Sequence, residues 1–316
     1  MQSVPSSSPV PDAFHGNLCA QAALSQYGVL VVEGEDARAF LHAQLTNDVT
    51  HLAANQARQA GWCSAKGRLL ATFLVVTDDA RFLLLLAREL AAPSAKRLSM
   101  FVLRSKVKIV DASEQLRVVG LWGSDCAPRL AALGLAPQAA DLSAVSADGR
   151  LAVRFASDQY LLVLPAGSAA IDTPVNACAQ DWTLREIRAG RPLITLATQE
   201  QFVPQMINLQ AIGGIDFRKG CYPGQEIVAR AQYRGQIKRR MARARAPAGV
   251  EVRPGQDLYS DDLPGQPSAS VVNVAAAPEG SELLLVAQIA TLDGGAPLRA
   301  APGGIPLEIL PLPYAV

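Results

Sequence analysis

Two apolar runs, Leu69 to Val76 and Arg81 to Ala87, are separated in sequence by little more than Asp78-Asp79. Runs this close read as a β-hairpin, because a parallel pair needs a crossover of a dozen or more residues. Other short strands are expected at Tyr27–Val32, Lys106–Val110, Leu116–Leu121, Leu151–Phe155 and Tyr160–Leu164. Between them, Ala37, Phe40, Leu41 and Leu45 recur at helical spacing, and Thr46-Asn47-Asp48 ends that helix. A second helix is expected from Pro93 to Met100. A third carries Trp182, Leu184 and Ile187, with Asp181 as its N-cap and Gly190 and Pro192 as its stop. Hairpins mixed irregularly with helices specify an α+β fold with antiparallel sheets.

After Met241 the composition changes. Residues 246–316 are rich in Pro and Gly and lose helical periodicity, while Ala269–Val274, Leu283–Ala290 and Pro306–Ile309 look like strands. This predicts a separate small β-barrel or sandwich. The expected organisation is a mobile tail over 1–14, an α+β region over 15–240, and a β domain over 241–316.

Half of the residues are apolar, 18% are charged, and the net charge is +1, so bulk attraction to nucleic acid is excluded. The five cysteines are scattered without a CxxC pair, which argues against a disulfide scaffold. None of His15, His42 and His51 stands at metal-ligand spacing from a cysteine, so no metal site is expected. The opening MQSVPSSSPVPDAF lacks a basic start and an apolar core, so it does not read as a secretory signal. The strongest apolar run, Phe82 to Ala87, is too short to span a bilayer, and the expected compartment is the cytoplasm.

The segment Asp216 to Glu226 carries the most chemistry. Gly220, Gly224 and Pro223 surround Cys221, and Arg218 and Lys219 precede it. A helix starting at PGQE would set Cys221 just before a helix N-terminus, where dipole and cations favour a thiolate. The same pattern also describes a buried cysteine in a tight turn.

Lys219 to Arg230, KGCYPGQEIVAR, resembles the KGCYxGQE signature of the YgfZ-type folate-binding proteins of the aminomethyltransferase-like family. Four other blocks match in the same order: FLHAQLTNDV from Phe40, CSAKGR from Cys63, FVPQMINLQAIGG from Phe202 and LPLPY from Leu310. The resemblance runs from about residue 25 to the end. It implies three lobes around a central hole that holds tetrahydrofolate or a derivative, the two N-terminal lobes being discontinuous in sequence and the C-terminal one a β-barrel. It places Tyr27 and Trp182 against the folate, where flat rings stack well, although each also reads as a core aromatic. It makes Lys219, Gly220, Cys221, Tyr222, Gly224, Gln225 and Glu226 the signature, with Cys221 as a thiolate at the mouth of the hole and Lys219 stabilising it. The related helix commonly has a carboxylate where this chain has Arg188, and Glu186 falls on a different helix face. The resemblance implies support of iron–sulfur proteins, including enzymes that modify tRNA, with client or assembly proteins as partners. The rival readings are an aminomethyltransferase, a non-enzymatic folate sensor and an RNA-binding module. The last is prompted by Arg230, Arg234, Lys238, Arg239, Arg240, Arg243 and Arg245, a basic run that would equally attract a folate polyglutamate tail.

Overall fold

The computed structural model describes residues 19–78, 81–168, 177–233, 235 and 237–316. The expected 1–14 tail, Asp79 of the hairpin and Arg234 of the basic run lie outside the described residues. After β1 (Ala20–Ala23) the chain runs through β2 (Tyr27–Glu33), α1 (Ala37–Gln44), β3 (Ala57–Cys63), β4 (Leu69–Asp78), β5 (Arg81–Ala87), α2 (Arg88–Ser99) and β6 (Lys108–Asp111). Strands β2 to β6 form one antiparallel sheet in the order β3-β4-β5-β2-β6. Then come β7 (Leu116–Trp122), α3 (Cys126–Ala132), β8 (Ala144–Ala147), β9 (Arg150–Ala156) and β10 (Gln159–Pro165). With β1 they make a second sheet, β1-β7-β10-β9-β8. Two helices, α4 (Ala179–Arg188) and α5 (Gln225–Tyr233), lead to β11 (Arg239–Pro247), β12 (Asp257–Tyr259), β13 (Pro267–Ala277), β14 (Gly280–Gln288), α6 (Ile289–Asp293) and β15 (Glu308–Leu310). Their strands form the third sheet, β12-β13-β14-β11-β15. No closed barrel is formed by these strands among the described residues; between the outer strands β12 and β15, Tyr259 and Pro306 each bridge to Arg299.

The first sheet is the middle layer. Leu30, Val32 and Leu84 join one core with α1, α2, Met241 and Leu284, while Val29, Val31 and Leu85 join another with the second sheet. Burial on both faces explains why β4 is buried at every position and why these strands are continuous apolar runs. Helix α2 starts at Arg88, ahead of the expected Pro93, which it carries in its interior. In α4 the N-cap is Cys178, not Asp181. Asp181 is the third helical residue, and its Oδ2 accepts the Cys178 N–H at 2.8 Å.

Cys19 and Cys126 form a disulfide, tying the start of β1 to α3. Their scattered spacing hides the bond, because pairing of Ala20 opposite Trp122 is what brings them together. Trp182 fills the second sheet's core, and a Cβ at Gly120 would lie 2.4 Å from its Cε3. Gly120→Ala is therefore expected to destabilise the protein by about 1–3 kcal/mol through overpacking, read as a lower urea midpoint.

Candidate functional site

Helix α4 puts Trp182 and Glu186 one turn apart on its buried side. Glu186 faces two adjoining cavities that share Tyr27, Arg191 and Leu193 as walls, with Gln26, Thr183 and Asn273 also lining one of them. The Glu186 carboxylate is held from two sides. Oε1 accepts from Gln159 Nε2 at 2.8 Å and Arg191 Nη2 at 2.8 Å, and Oε2 accepts from Arg191 Nε at 3.0 Å. Burial works against charge on Arg191, but Glu186 outweighs it and raises the guanidinium's pKa. Tyr27, at the start of β2, has its hydroxyl pushed up first by burial and then by the Glu186 charge. Trp182 is fully buried behind this wall, packed on Trp122 and Phe155 at centroid distances of 6.1 and 5.8 Å. Its indole N–H lies near the Tyr27 hydroxyl but makes no aligned hydrogen bond.

Arg188 turns the other way. Its Nε and Nη2 donate to Glu282 Oε1 of β14 at 3.1 and 2.9 Å, which fastens α4 to the third sheet. The carboxylate that the sequence lacks at 188 is supplied to the cavity by Glu186, on the other face of the helix.

The signature loop builds a second site. Lys219 is buried, and its Nζ donates to His42 O at 2.5 Å and Leu45 O at 2.9 Å, capping the carbonyl end of α1. The same ammonium lies 4.6 Å from the Tyr222 ring centroid. Burial lowers the Lys219 pKa to about 8, against the opposing pull of Asp48, Asp216 and Cys221. Arg218 points into solvent, with Asp216 3.8 Å away. Cys221 is exposed, and α5 begins at Gln225, four residues on, so the helix end is farther from the thiol than the sequence predicts. The PGQE turn rests on the Cys63–Arg68 turn. Gly224 has φ +77°, and a Cβ there would fall 2.5 Å from Ser64 O, so only glycine fits.

The remaining motif blocks converge on this loop. Thr46 Oγ1 donates to Gly214 O at 2.7 Å, and Asn47 Nδ2 donates to Gly213 O at 2.7 Å. Asp48 lies 3.0 Å from His42 Nδ1 and 2.6 Å from His51 Nδ1. Burial alone would raise the Asp48 pKa, but hydrogen bonds from the His51 ring and from the backbone N–H groups of His51 and Thr50 bring it to about 2. The fifth block reaches α4 instead, where Tyr314 Oη donates to Gly190 O at 2.6 Å. Lys219→Met is expected to cost about 1.5–3 kcal/mol, the range for hydrogen bonds from a charged group, measured by urea unfolding. None of residues 219–226 lines the cavities beside Glu186.

The basic run starts in α5 with Arg230 and continues through Lys238 into strand β11. Arg230 pairs with Glu226, Arg245 pairs with Glu279 and Glu308, Arg243 donates to Arg188 O, and Arg240 donates to Val316 O. Among the described residues this leaves the side chains of Lys238 and Arg239 without an ion pair or hydrogen bond. Sequence reasoning set Glu186 aside as lying on another helix face and missed its partner Arg191, whose spacing of five gives no helical signal because Arg191 lies beyond the end of α4.

The arrangement of three antiparallel sheets is that of the aminomethyltransferase fold. The glycine cleavage system aminomethyltransferase T from Bartonella henselae superposes with a TM-score of 0.72, covering 94% of this chain and 86% of that one at 17% identity. No family model matches the sequence. Curated relatives do: the tRNA-modifying protein YgfZ of Klebsiella pneumoniae is 31% identical over 304 residues, 93% of this chain and 92% of the relative. That of Edwardsiella ictaluri is 35% identical over 237 residues, 72% and 71% of the two chains. The chain belongs to the YgfZ family.

Proposed function

We propose that this chain binds a reduced folate beside Glu186 and, through Cys221, supports iron–sulfur enzymes that modify tRNA. The observation that carries the folate reading is the Glu186 carboxylate, buried yet facing the cavity and locked by Arg191 and Gln159. A pterin edge presents N–H donors and needs acceptors, and Gln26 Oε1, buried there without a partner, is a second one. Tyr27 offers a ring face, with Trp182 supporting it from behind. The donor and acceptor set fits the group. Each cavity holds about 30 Å³, room for one water, so entry of the ring requires lining side chains to turn outward.

Bound, a reduced folate supplies a carrier of one-carbon units. Glu186 orients it by accepting hydrogen bonds, Arg191 holds Glu186 in place through both carboxylate oxygens, and Tyr27 covers one ring face. Cys221 is the accessible thiol of the signature and the candidate nucleophile, two residues on from Lys219, whose ammonium interacts with it electrostatically. The aromatic-lined site, the name of the relatives as tRNA-modifying proteins and the signature support this reading together. Among the described residues no helix is long and apolar enough to cross a membrane, and we place the chain in the cytoplasm with its tRNA-modifying clients.

Calorimetric titration of tetrahydrofolate into wild type, Glu186→Gln and Trp182→Phe tests the site. Micromolar binding, roughly −8 kcal/mol, is expected for wild type and weaker binding for Glu186→Gln. A flat wild-type titration rules out folate. Activity of iron–sulfur enzymes in a deletion strain, with tRNA methylthiolation as readout, tests the role separately.

A further inference from the structure

A third cavity, of about 230 Å³, opens between the first and third sheets, and it shares no lining residue with the two cavities beside Glu186. Its wall carries Arg68 from the turn before β4, Arg239 from β11 and Asp257 from β12, above Phe202, Met206 and the buried Ser270. Among the described residues, none of these three charged groups is in an ion pair. Arg68 is steadied by one backbone acceptor, Gln201 O, which leaves its other N–H groups free. Of the other arginines along β11, Arg245 is in ion pairs and Arg240 and Arg243 donate to backbone carbonyls, whereas the Arg239 guanidinium has neither among the described residues, so charges of both signs stand outside any ion pair around one cavity.

The lining selects its ligand by charge. A simple anion would meet two guanidiniums but also the Asp257 carboxylate. A simple cation would meet the reverse. A zwitterion uses all three, with its carboxylate on the arginines and its ammonium on Asp257. Phe202 and Met206 then offer an apolar floor for a side chain, and Met is well suited to irregular partners. The volume lies below the ~300–1,000 Å³ of sites for drug-sized ligands, so the ligand is small. We infer that this cavity binds a free α-amino acid with an apolar side chain, held between Arg68, Arg239 and Asp257.

The full-length protein, labelled at its methionine methyl groups, provides the test, with L-norleucine as the probe. The Met206 signal, assigned by Met206→Leu, is expected to shift saturably while that of Met100, exposed on the surface after α2, stays still. Hexanoate, which lacks the ammonium, and 1-hexylamine, which lacks the carboxylate, are each expected to bind about tenfold more weakly or worse. Asp257→Asn and Arg239→Gln, both at positions outside the cores, are expected to weaken norleucine by about tenfold as well. The inference is overturned by an unmoved Met206 signal, by hexanoate binding as well as norleucine, or by inorganic phosphate binding that tightens in Asp257→Asn. The last result would make the cavity an anion site.

Discussion

The Cys221→Ser variant is expected to fold and bind folate as wild type does, yet to lose all support of tRNA methylthiolation in a deletion strain. Its side chain is exposed and lines neither cavity beside Glu186, so the near-isosteric swap removes a thiol without disturbing packing. Chemistry should mark the same residue. Cys19 and Cys126 are bonded to each other, and Cys63 is buried, which lifts its thiol from 9.0 to about 12. That shift alone cuts the Cys63 thiolate population at neutral pH about 1,000-fold. Brief iodoacetamide treatment followed by peptide mapping should label Cys221 before Cys63, with exposed Cys178 as the reference. Cys221 carrying less label than Cys178, together with full complementation by the serine variant, would sink the thiolate mechanism and leave the signature as a folding element.

The largest loss of stability is expected from Arg191→Ala, about 3–5 kcal/mol, because it leaves Glu186 charged and uncompensated in the interior. Glu186 would keep only Gln159 as a donor, and Phe155 would lose the guanidinium 5.0 Å above its ring. Arg191→Lys should recover part of the loss, since an ammonium restores charge but not the two-pronged grip on both carboxylate oxygens. Folate affinity should fall in both variants. Urea unfolding at pH 7 measures the first effect and calorimetry the second. A stability loss under about 1 kcal/mol for Arg191→Ala would mean that the pair behaves as an exposed one.

Much of the fold was legible because the middle sheet is buried on both faces. Its central strands β2, β4 and β5 are mainly apolar runs, and β5 matches its expected bounds of Arg81 and Ala87. Strand β11 was not read as a strand, although its pattern has a period of two. Ala242, Ala244 and Ala246 face inward, between arginines at 243 and 245, and alanine is too weakly apolar for the alternation to stand out. Strand β3, ARQAGWC, hides its core face in the same way, behind Ala60 and Gly61. The expected barrel is met only in part, as a five-stranded sheet whose outer strands are linked by single bridges at Arg299, because strand-like composition fixes pairing but not closure. At the candidate site the motif blocks were legible as separate strings. Their convergence was not, because Lys219 meets α1 across a separation of 177 residues, and nothing in KGCY indicates that its ammonium serves a distant helix end.

The chain order of the second sheet sets a timetable for synthesis. Among the described strands β1 emerges first, but its ladder partner there, β7, follows after the whole of the first sheet. At ~5–20 residues per second, β1 waits about 5–20 s on the ribosome with an unpaired edge. The first sheet, β2 to β6, has all its strands in one continuous stretch and can assemble during that interval. The nascent chain is thus a finished middle layer trailing an unpaired strand, and that interval is when a chaperone, or another copy's β7, has access to it.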